Sequence, residues 1–152
     1  RIITDIGLLG ANIPALIRFL SQNPECLHQI SPREFEEIIA EIFRSKGFEV
    51  VLTASTRDGG KDIIAVHRNE LGIDTKYFIE CKRYAQSNKV GAELIRALHG
   101  VKNTRSGPNK VILATTSTFT SGAIDFAQNQ ATSEWDITLK DYNDILEWMR
   151  SY

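Results

Sequence analysis

Residues 61–83 read KDIIAVHRNELGIDTKYFIECKR, and the architecture turns on this stretch. Two segments rich in β-branched and aromatic residues, 61–67 (KDIIAVH) and 76–83 (KYFIECKR), flank a loop around Leu71-Gly72, the pattern of successive strands. Side chains alternate across a strand, so Glu80 and Lys82 share one face while Tyr77, Ile79 and Cys81 take the other, in apolar packing. A carboxylate and an ammonium side by side on an apolar strand are costly unless paired or given a metal. Asp62 leads the neighbouring strand, within reach of Glu80. Adjacent carboxylates repel, a divalent cation relieves the repulsion, and hard cations such as magnesium take oxygen ligands. The competing reading is a cross-strand salt bridge in which Lys82 only neutralises Asp62 or Glu80. The tripeptide Glu80-Cys81-Lys82 is too common a pattern to decide between them.

Upstream, Asp58-Gly59-Gly60 reads as a tight turn into the Asp62 strand, with Asp58 as a turn residue, and 48–53 (FEVVLT) is a further strand. Before it, Ser31-Pro32-Arg33-Glu34 combines an N-cap serine, a first-turn proline and a glutamate three residues after the cap. The helix that follows carries Phe35, Ile38, Ile39, Ile42 and Phe43 on one face and ends at Gly47. Downstream the periodicity predicts a helix over about 89–105, with Val90, Leu94, Ala97, Leu98 and Val101 on its apolar side. A nearly all-apolar strand follows at 110–116 (KVILATT), as a buried parallel strand requires. Then come a helix at about 121–129, a strand at 135–139 (WDITL) and a last helix from Asp141. This order predicts an α/β fold: a mixed central β-sheet with helices on both faces, its first three strands an antiparallel meander. Residues 11–20 and 23–30 read as two short helices broken at Asn23-Pro24. We therefore expect 1–30 to be a short helical segment, the tail of a longer protein, and 31–152 to be the main domain.

The 152 residues are 42% hydrophobic and 24% charged, enough for one domain with a core that needs no disulfide or structural metal. Cys26 and Cys81 form no Cys-x-x-Cys pair, which argues against zinc and fits a reducing, cytoplasmic setting. The apolar stretch near the start is interrupted by Asp5, Asn12, Pro14 and Arg18, too soon for a membrane span. A net charge of −1 gives no general support to a nucleic-acid partner, but its distribution does. Between Lys76 and Lys110 lie eight basic residues opposed only by Glu80 and Glu93. Such asymmetry can build a phosphate-binding surface on a neutral protein, or merely a solvated helix face.

Taken together, SPREFEEIIAEIF with GFEV, TRDGGKDIIA, FIECKRYA, VGAELIRALHGV and VILATTSTFTSGAIDFA resemble the Mrr-like restriction endonuclease domain of the PD-(D/E)XK nuclease superfamily. These stretches cover most of residues 31–129. The resemblance implies a restriction-endonuclease-like core and a metal-dependent DNA endonuclease giving 5′-phosphate ends. It implies Asp62 and Glu80 as metal ligands with the backbone carbonyl of Cys81, Lys82 as the catalytic lysine, and magnesium as the cofactor, with manganese expected to substitute. The family also tends to add an acidic residue from the first helix. Of Glu34, Glu36, Glu37 and Glu41, Glu36 lies beside the apolar stripe while Glu37 points nearly opposite. Glu36 is the choice, against the alternative of an ordinary boundary glutamate. DNA is the expected partner. Lys89 and Arg96, seven apart on one predicted helix, are candidates for phosphate contact, with Arg83 and the hydroxyls of Thr115, Thr116 and Ser117, at the end of the buried strand, as weaker ones. His28, His67 and His99 show no ligand spacing. A structure-specific nuclease such as a Holliday-junction resolvase, or a non-catalytic DNA-binding module, would share this core. The oligomeric state stays open, with a homodimer among the options.

Overall fold

The structure, a computed structural model, describes residues 12–53, 62–104, 107–131 and 135–152. The Asp58-Gly59-Gly60 turn and Lys61 lie outside them. The chain begins with α1 (Ile13–Gln22), a 3₁₀ turn (Pro24–Gln29) and α2 (Pro32–Ser45). At the start of α2, Ser31 Oγ accepts the Glu34 N–H at 3.0 Å and Glu34 Oε1 accepts the Ser31 N–H at 2.8 Å, a complete capping box. The helix ends where Gly47 turns the chain at φ 92°, a conformation that strains any residue with a Cβ.

Five strands follow: β1 (Glu49–Leu52), β2 (Ile63–Arg68), β3 (Asp74–Lys82), β4 (Lys110–Thr115) and β5 (Ile137–Lys140). They form one sheet in the order β1-β2-β3-β4-β5. β1, β2 and β3 pair antiparallel; β4 and β5 join in parallel. The crossover from β3 to β4 carries α3 (Ala92–Lys102), and that from β4 to β5 carries α4 (Ser121–Asp125) with a π-helical turn (Phe126–Gln130). The last helix is α5 (Tyr142–Arg150), capped by Asp141. The expected mixed sheet with a leading meander is the observed one, flanked by helices on both faces.

Alternation along the strands makes two cores. Ile63, Ile79, Cys81 and Ile112 pack under α1, α2 and α5, with Leu16, Leu20, Phe35, Ile39 and Ile145. Phe78, Val111, Leu113 and Ile137 pack under α3 and α4, with Ile95, Leu98 and Ala123. Residues 16–30 share the first core with α2: Leu16, Ile17, Leu20, Cys26 and Leu27 are fully buried in it. Leu20→Ala is therefore expected to cost about 2–5 kcal/mol of stability, the range for emptying a buried leucine site. Chemical denaturation reads this directly; a loss below about 0.5 kcal/mol would make the segment peripheral.

The structure corrects the predicted 89–105 helix. Lys89 stands in the preceding loop and does not share a helix with Arg96. The Val90 N–H donates to Thr118 O at 2.9 Å and its carbonyl accepts from the Thr120 N–H at 3.0 Å, so Val90 bridges to the segment after β4 and a helix starts only beyond Gly91. The buried residues of α3 are Ile95 and Leu98, while Ala97 is exposed. The basic run does not form one surface either. Tyr77 is paired with Lys110 and Lys82 with Thr115, so Lys110 lies five positions from the Lys82 end of the ladder. That is roughly 17 Å at about 3.3 Å per residue. Because α3 runs back between two parallel strands, its last residue Lys102 also reaches the far end, where it pairs with Asp136 at 3.2 Å.

Candidate active site

The candidate site forms where β2 begins and β3 ends. The pair Ile63–Ile79 is the last of their antiparallel ladder, and one step further brings Asp62 opposite Glu80. Asp62 Oδ2 accepts the Cys81 N–H at 2.7 Å. The Asp62 carbonyl accepts from the Thr53 N–H at 3.0 Å and from its hydroxyl at 3.3 Å. Asp62 is thus held from both flanking strands. Glu80 is 1% exposed, and its Oε1 pairs with Lys82 Nζ at 3.1 Å. Both side chains project on the α3 face of β3, opposite Ile79 and Cys81 as alternation requires. The sequence thus places Asp62, Glu80 and Lys82 together, and the structure brings them together.

The electrostatics describe one neighbourhood. Burial pushes the Cys81 thiol well above its ordinary value, and Asp62, Glu36 and Glu80 add to the rise, opposed by Lys82. Partial burial disfavours the Lys82 ammonium, but the charge and hydrogen bond of Glu80, with Tyr84 and Asp62, outweigh it and raise the amine above its usual range. Burial also raises the Glu36 carboxyl; the Arg33 hydrogen bond opposes this and the charge of Asp62 adds to it. Glu36 has a side chain 14% exposed and lies 2.9 Å from Arg33 Nη1.

The sign of the Glu36 shift makes a prediction. A carboxyl with a raised folded-state value disfavours the fold once ionised. The penalty is absent below its unfolded value, grows as pH rises through the folded value and persists at neutral pH. Glu36→Gln should therefore raise the stability of metal-free protein at pH 7 and leave it near wild type at pH 3. Equal effects at both pH values would show that charge is not the cause.

The Cys81 carbonyl also faces this site. In an extended strand a residue's N–H and C=O point the same way and its neighbours' point the other. The Lys82 carbonyl is taken on the β4 side by Thr115 Oγ1 and Thr116 N, whereas the Cys81 N–H meets Asp62. The Cys81 carbonyl therefore lies on the Asp62 side. Among the described residues no group of three or more His, Cys, Asp or Glu side chains forms a ready-made metal cage. Two carboxylates and a main-chain carbonyl make an oxygen-only set. That set fits magnesium, which holds few protein ligands and keeps places for water and phosphate.

The remaining candidates divide. Lys89 is exposed and borders an open cavity of about 300 Å³ with Tyr84, Asn88 and Gly91. Arg96 is exposed on α3, with its guanidinium 5.3 Å over the Phe126 ring. Arg83 is half-buried, and its Nη1 donates to the His28 carbonyl at 3.3 Å, which ties it to the 3₁₀ turn. Thr116 corrects the expectation of a hydroxyl offered to DNA: it is fully buried, and Oγ1 donates to the Tyr84 carbonyl at 2.7 Å. His28 serves the fold, with Nε2 2.8 Å from the Thr116 carbonyl and its ring stacked on Tyr142. Sequence reasoning missed Thr53; its only signal was a hydroxyl at the end of a strand facing the Asp62 strand.

Comparison with known proteins identifies the family. A family model described as restriction endonuclease, the Mrr catalytic domain, matches residues 27–149. An uncharacterized protein, y4cE, of Sinorhizobium fredii is 30% identical over 139 residues, 90% of this chain and 34% of that protein. The type IV methyl-directed restriction enzyme EcoKMrr of Escherichia coli K12 is 33% identical over 110 residues, 69% of this chain and 34% of the enzyme. The chain thus spans about a third of the length of these relatives. Among solved structures, the DNA modification-dependent restriction endonuclease AspBHI superposes with a TM-score of 0.64 at 23% identity, over 93% of this chain and 35% of that one. The MspJI restriction endonuclease, solved in complex with a 27-mer oligonucleotide, gives 0.51 at 17% identity, over 91% and 30%. A family match over most of its length, on a sheet that converges Asp62, Glu80 and Lys82, places this chain in the Mrr catalytic-domain family of restriction endonucleases.

Proposed function

We propose that this chain is the catalytic domain of a metal-dependent endonuclease that hydrolyses DNA phosphodiester bonds, with Asp62, Glu80 and Lys82 as its working residues. The observation that carries this is the buried Glu80 carboxylate paired with a half-buried Lys82, beside an Asp62 carboxylate that accepts the Cys81 N–H. Burying the Glu80 carboxylate is costly and its ion pair with half-buried Lys82 offsets that only in part, so the arrangement supports a chemical role over a stabilising one. Asp62, Glu80 and the Cys81 carbonyl would hold magnesium, with Glu36, whose carboxyl feels the charge of Asp62, as a further candidate ligand. A divalent cation bound there supplies Lewis acidity and charge neutralisation for an attacked phosphodiester. Lys82, whose ammonium pairs with Glu80, would donate to the phosphate or orient the attacking water. Glu80 holds that ammonium in place. Lys89, exposed beside an open cavity with Tyr84, would meet the DNA backbone.

EcoKMrr is methyl-directed and AspBHI modification-dependent, so the test uses methylated and unmethylated plasmid together with four-way branched DNA, with magnesium. Nicking of plasmid supports the proposal. Cutting confined to branched DNA would indicate a resolvase, and binding without cutting under magnesium or manganese would indicate a non-catalytic module. Lys89→Ala should lower the slope of log affinity against log salt by about 0.9, the loss of one phosphate contact. An unchanged slope would make Lys89 an ordinary solvated lysine.

A further inference from the structure

We propose that Thr115 is a positioning residue for Lys82, acting through the main chain; this deepens the nuclease reading above and rests on it. The parallel ladder of β3 and β4 ends at the pair Lys82–Thr115. Beyond that pair, side-chain hydroxyls take over the pairing. Thr115 Oγ1 donates to the Lys82 carbonyl at 2.7 Å, Thr116 Oγ1 to the Tyr84 carbonyl at 2.7 Å, and Ser117 Oγ to the Gln86 carbonyl at 3.2 Å. Three consecutive hydroxyls thus meet every second carbonyl of the segment leaving the catalytic strand. All three residues are 0% exposed.

The Lys82 carbonyl is the most heavily engaged of these acceptors. It also receives the Thr116 N–H at 3.2 Å and the Tyr84 N–H at 3.1 Å. Thr115 Oγ1 accepts the Ser117 N–H at 3.1 Å, so its hydroxyl is used in both directions. β4 could have continued as it began, since Val111, Ile112, Leu113 and Ala114 are all apolar and buried. It turns polar at the register position of Lys82. Locking that carbonyl sets the peptide plane and backbone dihedrals from which the lysine side chain rises. The ammonium must reach Glu80 Oε1 at 3.1 Å and a reacting group beyond it, and an error of about 1 Å in such a group can cost on the order of a hundredfold in rate.

The test compares wild type, Thr115→Val, Thr115→Ser and a stability control in the far core, Ile145→Val, on one plasmid substrate with magnesium. Thr115→Val should lower kcat at least tenfold with KM within twofold, Thr115→Ser should restore most of it, and Ile145→Val should cut as wild type does. The same change is then made on Lys82→Ala. If Thr115 acts through Lys82, Thr115→Val adds no further loss there. An equal loss in both backgrounds, or no rescue by serine, overturns the proposal. A readout without catalysis separates this from failure of the nuclease reading. The Tyr84 and Thr116 amides, which share the Lys82 carbonyl, should exchange hydrogen at least tenfold faster in Thr115→Val, while those of Ile38 and Ile39 in α2 stay unchanged. Unchanged exchange at Tyr84 and Thr116 overturns the clamp even if wild type cuts no DNA. Faster exchange with wild-type kcat overturns its role in positioning.

Discussion

Lys82→Ala is expected to lower DNA cleavage by about a hundredfold or more while calcium-supported DNA binding persists. The lysine contributes a charge 3.1 Å from Glu80 and none of the oxygen ligands, so its removal spares the cation site. Magnesium and manganese should support cleavage in wild type. Calcium, larger and less acidifying, should support binding with little cutting. Glu80→Ala should lose both, because the buried carboxylate goes with it. Thermal unfolding gives an independent reading. Metal-free Lys82→Ala removes the Lys82 ammonium from beside buried Glu80 and should melt below wild type, and magnesium should recover much of the difference by replacing the missing positive charge. Wild-type cutting by Lys82→Ala would mean that the ion pair is structural and the active site lies elsewhere.

Asp62 separates charge from hydrogen bonding. Asp62→Asn keeps an oxygen that can accept the Cys81 N–H but loses the negative charge, whereas Asp62→Ala loses both. Each should reduce cleavage on the order of a hundredfold or more, as expected for loss of a ligand in a two-carboxylate site. Their stabilities should diverge. The alanine variant orphans a part-buried N–H and should lose about 1–3 kcal/mol, while the asparagine variant stays close to wild type. Paired nicking assays and urea midpoints measure the two effects. An Asp62→Asn protein that cuts normally would show that the carboxylate charge is not used, and the metal reading would fall with it.

The order of elements was legible because each rests on local chemistry. The Ser31–Glu34 capping box, the apolar face of α2 and the run Val111–Ala114 need only neighbouring residues to be read. Alternation along β3 separated Glu80 and Lys82 from Ile79 and Cys81, and the short link from β2 to β3 made them antiparallel neighbours, so Asp62 could be set opposite Glu80. The site's core was therefore determined by periodicity and connectivity within 62–82. Long-range geometry was not. The bridge from Val90 to Phe119 delayed α3 and removed Lys89 from it. The return path of α3 carried Lys102 to the opposite end of the sheet from Lys82, and the strand register did the same for Lys110. The hydroxyls of Thr115, Thr116 and Ser117 looked available in the sequence; their carbonyl partners lie 31 to 33 residues away and turn them inward. A residue's face on its own strand follows from a period of two. The carbonyl that its hydroxyl meets follows only from which distant segment the sheet lays beside it.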